Sequence, residues 1–133
     1  MSRPEIGKSV KTGKFTTNYL EVGEDVGGVP LLFIHGSGPG VSAYANWRLV
    51  LPLIEETNHA YAIDMIGFGY SDKPTGAEVD YGVDLWTQQI IDFIDALGLE
   101  KVNLVGNSFG GSLAFSVALK YPEKVNKIIT MGA

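Results

Sequence analysis

Three segments of the chain are apolar with little or no alternation, Leu31-Leu32-Phe33-Ile34-His35, Ala60-Tyr61-Ala62-Ile63-Asp64 and Val102-Asn103-Leu104-Val105-Gly106, and Val125 to Met131 is a fourth strand that ends in the apolar, uncovered Ile128-Ile129-Thr130-Met131. A strand covered on both faces reads as the first three do, whereas a half-exposed strand alternates apolar with polar. Between these runs the apolar period changes to three and four. Trp47, Val50, Leu51 and Ile54 predict a short amphipathic helix over 47–54. Leu85, Trp86, Ile90, Ile91, Phe93, Ile94 and Leu97 predict a longer one that Asp84 can cap and Gly98 can stop. Phe109 to Tyr121 is a third helix, ended by Pro122. Ahead of all this, the β-branched and aromatic stretch Ser9 to Val22, broken at Gly13, predicts two short antiparallel strands. The stretches 24–30 and 71–81 are polar or glycine-containing loops.

Two opening strands followed by β-α-β-α-β-α-β define the α/β class, with a mostly parallel sheet, helices on both faces and right-handed crossovers. No internal repeat and no linker divides residues 1–133, so the chain reads as part of a single domain. In open parallel sheets ligands sit at the carboxyl ends of the strands. The loops to inspect therefore follow His35, Asp64, Gly106 and Met131.

Composition narrows the function. With 133 residues, 45% of them hydrophobic and 19% charged, the chain can bury a core. Ten basic against fifteen acidic residues leave a net charge of −5 without any basic stripe, which argues against a nucleic-acid partner. The absence of cysteine removes disulfides, thiolate metal sites and cysteine nucleophiles, and nothing implies a metal or a cofactor. No apolar stretch reaches the ~18 residues of a membrane span and the start lacks a signal-like core, so no membrane role and a cytoplasmic location are expected. Glycine, at 17 residues, is in excess, and the excess lies in the strand-end loops.

The sharpest chemical signal is Gly106-Asn107-Ser108-Phe109-Gly110-Gly111 between an apolar strand and an amphipathic helix. This is G-x-S-x-G in the strand-turn-helix setting of a nucleophile elbow, where the serine sits on a strained turn and glycines at 106 and 110 avoid collision with neighbouring backbone. Ser108 is the candidate nucleophile. The helix that begins after it points its positive end at any oxyanion formed there. The second element is His35-Gly36-Ser37-Gly38-Pro39-Gly40, whose small residues let amides approach a ligand. The Phe109 and Ser37 amides are the candidate oxyanion-hole donors.

In these segments the chain resembles the meta-cleavage-product hydrolases of the α/β-hydrolase fold, and among them the enzymes for monocyclic ring products. The likeness rests on the His35 to Gly40 segment, Ala45-Asn46-Trp47-Arg48, Asp64-Met65-Ile66-Gly67-Phe68-Gly69-Tyr70-Ser71, and the Ser108 elbow. The resemblance implies hydrolysis of a C–C bond in a 2-hydroxy-6-oxo-hexa-2,4-dienoate. It further implies that Asn46 and Asn107 line the pocket for the polar end of this small-molecule substrate; the alternative for each is a loop-capping asparagine. A homo-oligomer is compatible with the resemblance for the full-length protein.

A serine hydroxyl needs a base, itself oriented by a carboxylate, and in this fold both follow the nucleophile in the chain. No histidine follows Ser108. His59 reads as a surface residue at the far edge of the sheet. His35 reads as structural, Asp64 as a loop-bracing carboxylate, and Glu123 as facing the wrong edge. The chain is therefore expected to be the amino-terminal part of a longer hydrolase, ending before the lid and the last strands, and to be inactive or nearly so by itself. A carboxylesterase or lactonase on the same fold, and an inactive partner-dependent fragment, are the competing readings.

Overall fold

A computed structural model describes residues 3–132. Its one sheet has the strand order β1-β2-β4-β3-β5-β6, built from β1 (Lys8–Thr12), β2 (Phe15–Val22), β3 (Leu31–Ile34), β4 (Ala60–Ile63), β5 (Val102–Asn107) and β6 (Val125–Met131). β1 and β2 form an antiparallel hairpin, and β2 joins β4 antiparallel. The pairs β3–β4, β3–β5 and β5–β6 are parallel. β3 is thus central, flanked by the two strands that follow it in sequence.

All four residues of β3 and all four of β4 are buried, as their unbroken apolar runs require. Leu32, Ile34, Tyr61, Ile63 and Leu104 face helices α3 (Val83–Ala96) and α4 (Phe109–Lys120), meeting Ile90, Phe93, Ile94, Leu113 and Val117. On the other face, Leu31, Phe33, Ala60, Ala62 and Val105 meet Ala43, Trp47 and Leu51. Each large aliphatic or aromatic side chain buried in these layers contributes about 1.5–3 kcal/mol.

The structure corrects three expectations. The single helix over 47–54 is two short ones, α1 (Ala43–Trp47) and α2 (Leu51–Ile54). Ser42 starts α1 by accepting a hydrogen bond from the Ala45 amide, and Pro52, which has no N–H to give, sits in the first turn of α2, where none is needed. The apolar spacing still does its work, since Trp47 and Leu51 are buried together. Secondly, Asp84 does not cap α3: the cap position is Gly82, and Asp84 lies in the first turn, where its carboxylate pairs with Lys120 at 2.7 Å. Thirdly, α4 stops at Lys120, and Pro122–Lys124 form a 3-10 turn leading into β6. β6 is one of the two edge strands, and the side that carries Ile129 and Met131 is exposed.

Candidate active site

β3, β4 and β5 run parallel, so His35, Asp64 and Ser108 emerge at one edge of the sheet. Ser108 has φ 54° and ψ −111°, and it is the single non-glycine residue with positive φ among the described residues. A side chain held in that region costs of order 1–3 kcal/mol, so the surrounding fold must enforce it. The enforcement is visible at both flanking glycines. A Cβ on Gly106 would lie 2.3 Å from the Gly110 carbonyl oxygen, and one on Gly110 would lie 2.2 Å from the Ile34 carbonyl oxygen. The first turn of α4 therefore rests directly on the ends of β5 and β3, as the G-x-S-x-G spacing predicts. The Ser108 amide donates to the Met131 carbonyl at 2.7 Å, tying the bend to β6, while the residue stays solvent-exposed.

The Phe109 ring is anchored beneath the bend, 4.8 Å from Trp86 and 6.1 Å from Phe68 between ring centroids. Its amide, at the first position of α4, makes no hydrogen bond among the described residues, and neither does that of Ser37. Such amides at a helix start and in an exposed turn are free to receive an oxyanion. Ser37 is exposed and follows buried Gly36. The Gly36 amide donates to Asn46 Oδ1 at 2.8 Å, and Asn107 Nδ2 donates to the same oxygen at 3.0 Å. The structure thus brings Asn46 and Asn107 together and joins both to the Ser37 loop. A cleft of about 730 Å³ runs beside this loop, bordered by Gly38, Pro39, Tyr44, Phe68 and Tyr70; Ser108 is not among its lining residues.

His35 is fully buried, and both ring nitrogens are occupied. Its Nε2 accepts from the Met65 amide at 2.9 Å, which places the proton on Nδ1, and Nδ1 donates to the Gly36 carbonyl at 2.6 Å. Burial depresses its pKa below the ordinary value, against the raising effects of the Gly36 bond and of Asp64. Asp64, also fully buried, accepts from the Ala43 amide at 2.7 Å, the Tyr70 amide at 2.8 Å and Asn18 Nδ2 at 2.9 Å. A Cβ on Gly69 would fall 2.3 Å from its Oδ2, so the loop can wrap the carboxylate only with glycine there. Both residues brace loops, in keeping with the sequence reading.

Sequence reasoning missed the rest of this buried polar net. Gln89, on the apolar face of α3, accepts from the Ile66 amide and donates to Thr17 Oγ1 and the Asp64 carbonyl. Ser71 accepts from the Asn18 amide and donates to the Asp64 carbonyl. A glutamine interrupting an apolar helical stripe was the available signal.

His59 lies at the opposite end of β4, half-buried and 2.7 Å from Glu21 Oε2. Burial pushes the Glu21 carboxyl up, but hydrogen bonds from Lys8 and His59 outweigh it and hold it below its usual value. Neither histidine of the sequence is therefore placed to take a proton from Ser108. No group of three or more metal-ligating side chains occurs among the described residues. No described helix is long and apolar enough to cross a membrane.

A strand-bend-helix serine at the carboxyl edge of a mostly parallel sheet places the chain in the α/β-hydrolase fold family, which matches residues 29–133, and the chain belongs to it. More particularly, it is 45% identical over 130 residues to 2-hydroxymuconate semialdehyde hydrolase of Pseudomonas sp. strain CF600, covering 98% of this chain and 44% of that protein. Similarity to 2-hydroxy-6-oxo-2,4-heptadienoate hydrolase of Pseudomonas putida is 44% over 129 residues, covering 97% and 45%. Among solved structures, a serine-to-alanine mutant of the meta-cleavage product hydrolase of Pseudomonas fluorescens, complexed with acetates, superposes with a TM-score of 0.86 at 48% identity, covering 93% of this chain and 44% of that one. The chain spans under half the length of the relatives it matches.

Proposed function

We propose that residues 1–133 belong to one α/β-hydrolase domain, and that the protein is a serine-type hydrolase cleaving a C–C bond in 2-hydroxy-6-oxo-hexa-2,4-dienoates, the meta-cleavage products of aromatic degradation. The observation that carries the reading is the Ser108 bend: an exposed serine on a strained turn, directly followed by the Phe109 amide, which like the Ser37 amide makes no hydrogen bond among the described residues, in a chain similar to meta-cleavage hydrolases. In this reading the dienol is ketonised, and Ser108 or water adds to the C6 carbonyl. The Phe109 and Ser37 amides receive the developing oxyanion, and the C5–C6 bond breaks. One water is consumed, giving 2-hydroxypenta-2,4-dienoate and a carboxylic acid, formate where the substrate is the semialdehyde. Asn46 and Asn107 line the polar end of the pocket. This reading assigns the base and its orienting acid to positions outside these 133 residues; the engagement of His35 and His59 elsewhere supports it for the base. The reading carries with it a cytoplasmic protein acting on a small molecule, without nucleic acid or membrane, and compatible with a homo-oligomer.

Incubating the full-length protein with a ring-fission product tests this: the visible absorbance of the dienolate bleaches, and Ser108→Ala abolishes the bleaching. Ester hydrolysis that depends on Ser108, with no bleaching, would assign the protein instead to the carboxylesterases or lactonases, which need the same serine and amides.

A further inference from the structure

Gly36 is the hinge between the central strand and the Ser37 amide, and glycine has the freest backbone of any residue. Here both of its polar groups are held. Its carbonyl accepts from His35 Nδ1 at 2.6 Å, and its amide donates to Asn46 Oδ1 at 2.8 Å. The first bond sets the direction of the Gly36–Ser37 peptide, and in a trans peptide the Ser37 N–H then points the opposite way. The second fixes the peptide before it. Asn46 Oδ1 also accepts from Asn107 Nδ2 at 3.0 Å, and Asn107 is the residue before Ser108. The orientation of the Asn46 amide follows from chemistry: a backbone N–H can only donate, so the atom facing Gly36 is the oxygen. That one oxygen connects the loop carrying the Ser37 amide to the bend carrying Ser108 and the Phe109 amide.

We propose that Asn46 is a positioning residue, whose Oδ1 locks Gly36 to Asn107 and so aims the Ser37 and Phe109 amides at a common point. This rests on the hydrolase reading and assigns Asn46 a duty separate from substrate contact. The two N–H groups on its Nδ2 remain for the substrate. The two duties separate experimentally, because an aspartate keeps the acceptor oxygen and loses the donors, whereas leucine loses both.

The test uses the full-length protein with Asn46→Leu, Asn46→Asp and Ser108→Ala, assayed on a neutral activated ester, which has no carboxylate for Nδ2 to bind, and on a ring-fission dienoate. Hydrogen exchange at the Gly36 amide is measured without substrate. Removing a whole oxyanion donor costs about 10²–10³ in kcat, so loosening one is expected to lower ester kcat about 10- to 100-fold in Asn46→Leu with little change in KM. Asn46→Asp recovers most of that kcat, yet its KM for the anionic dienoate rises at least tenfold. Gly36 protection falls in Asn46→Leu and persists in Asn46→Asp. The proposal is overturned if Asn46→Leu keeps ester kcat within threefold, if Asn46→Asp is as impaired on the ester as Asn46→Leu, or if Gly36 protection is the same in all three. Ester hydrolysis that survives Ser108→Ala overturns the serine reading itself, a failure distinct from an inactive Ser108→Ala beside a fully active Asn46→Leu.

Discussion

The backbone amide of Met65 donates to Nε2 of His35 across 2.9 Å, so the loop after β4 holds the ring that in turn holds the loop after β3. An imidazolium at this position would set an N–H against the Met65 N–H. Burial accordingly keeps the folded pKa below the ordinary value of about 6.5, and at pH values between the two the unfolded chain binds more protons than the folded one. The contribution of His35 to stability is complete above about pH 6.5 and is lost as the pH falls from there toward the depressed folded value. Urea midpoints measured from pH 8 down to pH 4.5 should fall less steeply in His35→Gln than in the parent chain; equal slopes would refute the assignment.

Strain at the bend gives a second expectation. Ser108 is held at φ 54° with a Cβ, and Ser108→Gly removes the clash at the cost of added freedom in the unfolded chain. The variant should be more stable by about 1 kcal/mol, read as a higher urea midpoint at unchanged slope.

Gly110 has no such latitude. Gly110→Ala would force a methyl to 2.2 Å from the Ile34 carbonyl, between backbone segments that cannot yield, so a loss of more than about 3 kcal/mol or failure to fold is expected. Gly27→Ala is the control: nothing lies within 4 Å of its Cβ position, and its effect should stay within about ±1 kcal/mol. Thermal melts of the two variants check the contrast.

Asp64 supplies three acceptor contacts from two oxygens, to Ala43, Tyr70 and Asn18. Asp64→Asn turns one oxygen into an N–H donor facing donors. A loss of about 2–4 kcal/mol is expected in denaturant unfolding, by the cost of leaving buried groups unpaired. A change below 1 kcal/mol would show that the loops do not depend on this carboxylate.

The layered fold was legible because Leu31–Ile34 and Ala60–Ile63 are buried on both faces, a condition the residues themselves record as unbroken apolar runs. The bend at Ser108 was legible because the glycines at 106 and 110 have no other reason to flank it so closely. The break between α1 and α2 was also within reach, since Ser42 and Pro52 are start signals that the apolar spacing of Trp47 to Ile54 concealed. The bonds of Gln89 to Thr17 and of Asn46 to Asn107 were not. Such pairings depend on where the sheet order sets distant segments side by side, and a lone glutamine or asparagine has no periodicity to announce its partner.

The strand order also decides what a protease would leave behind. Residues 75–78 and 80–81 face solvent, and a single nick there divides the chain into a piece with β1 to β4 and a piece with α3, β5, α4 and β6. Because β3 sits beside β5 rather than at the rim, the severed pieces still share a hydrogen-bonded ladder from Leu31 through Ile34, and the second piece keeps its two helices against the first piece's apolar side chains. A chain nicked only within residues 75–81 should therefore give two bands under denaturing electrophoresis that migrate together in gel filtration.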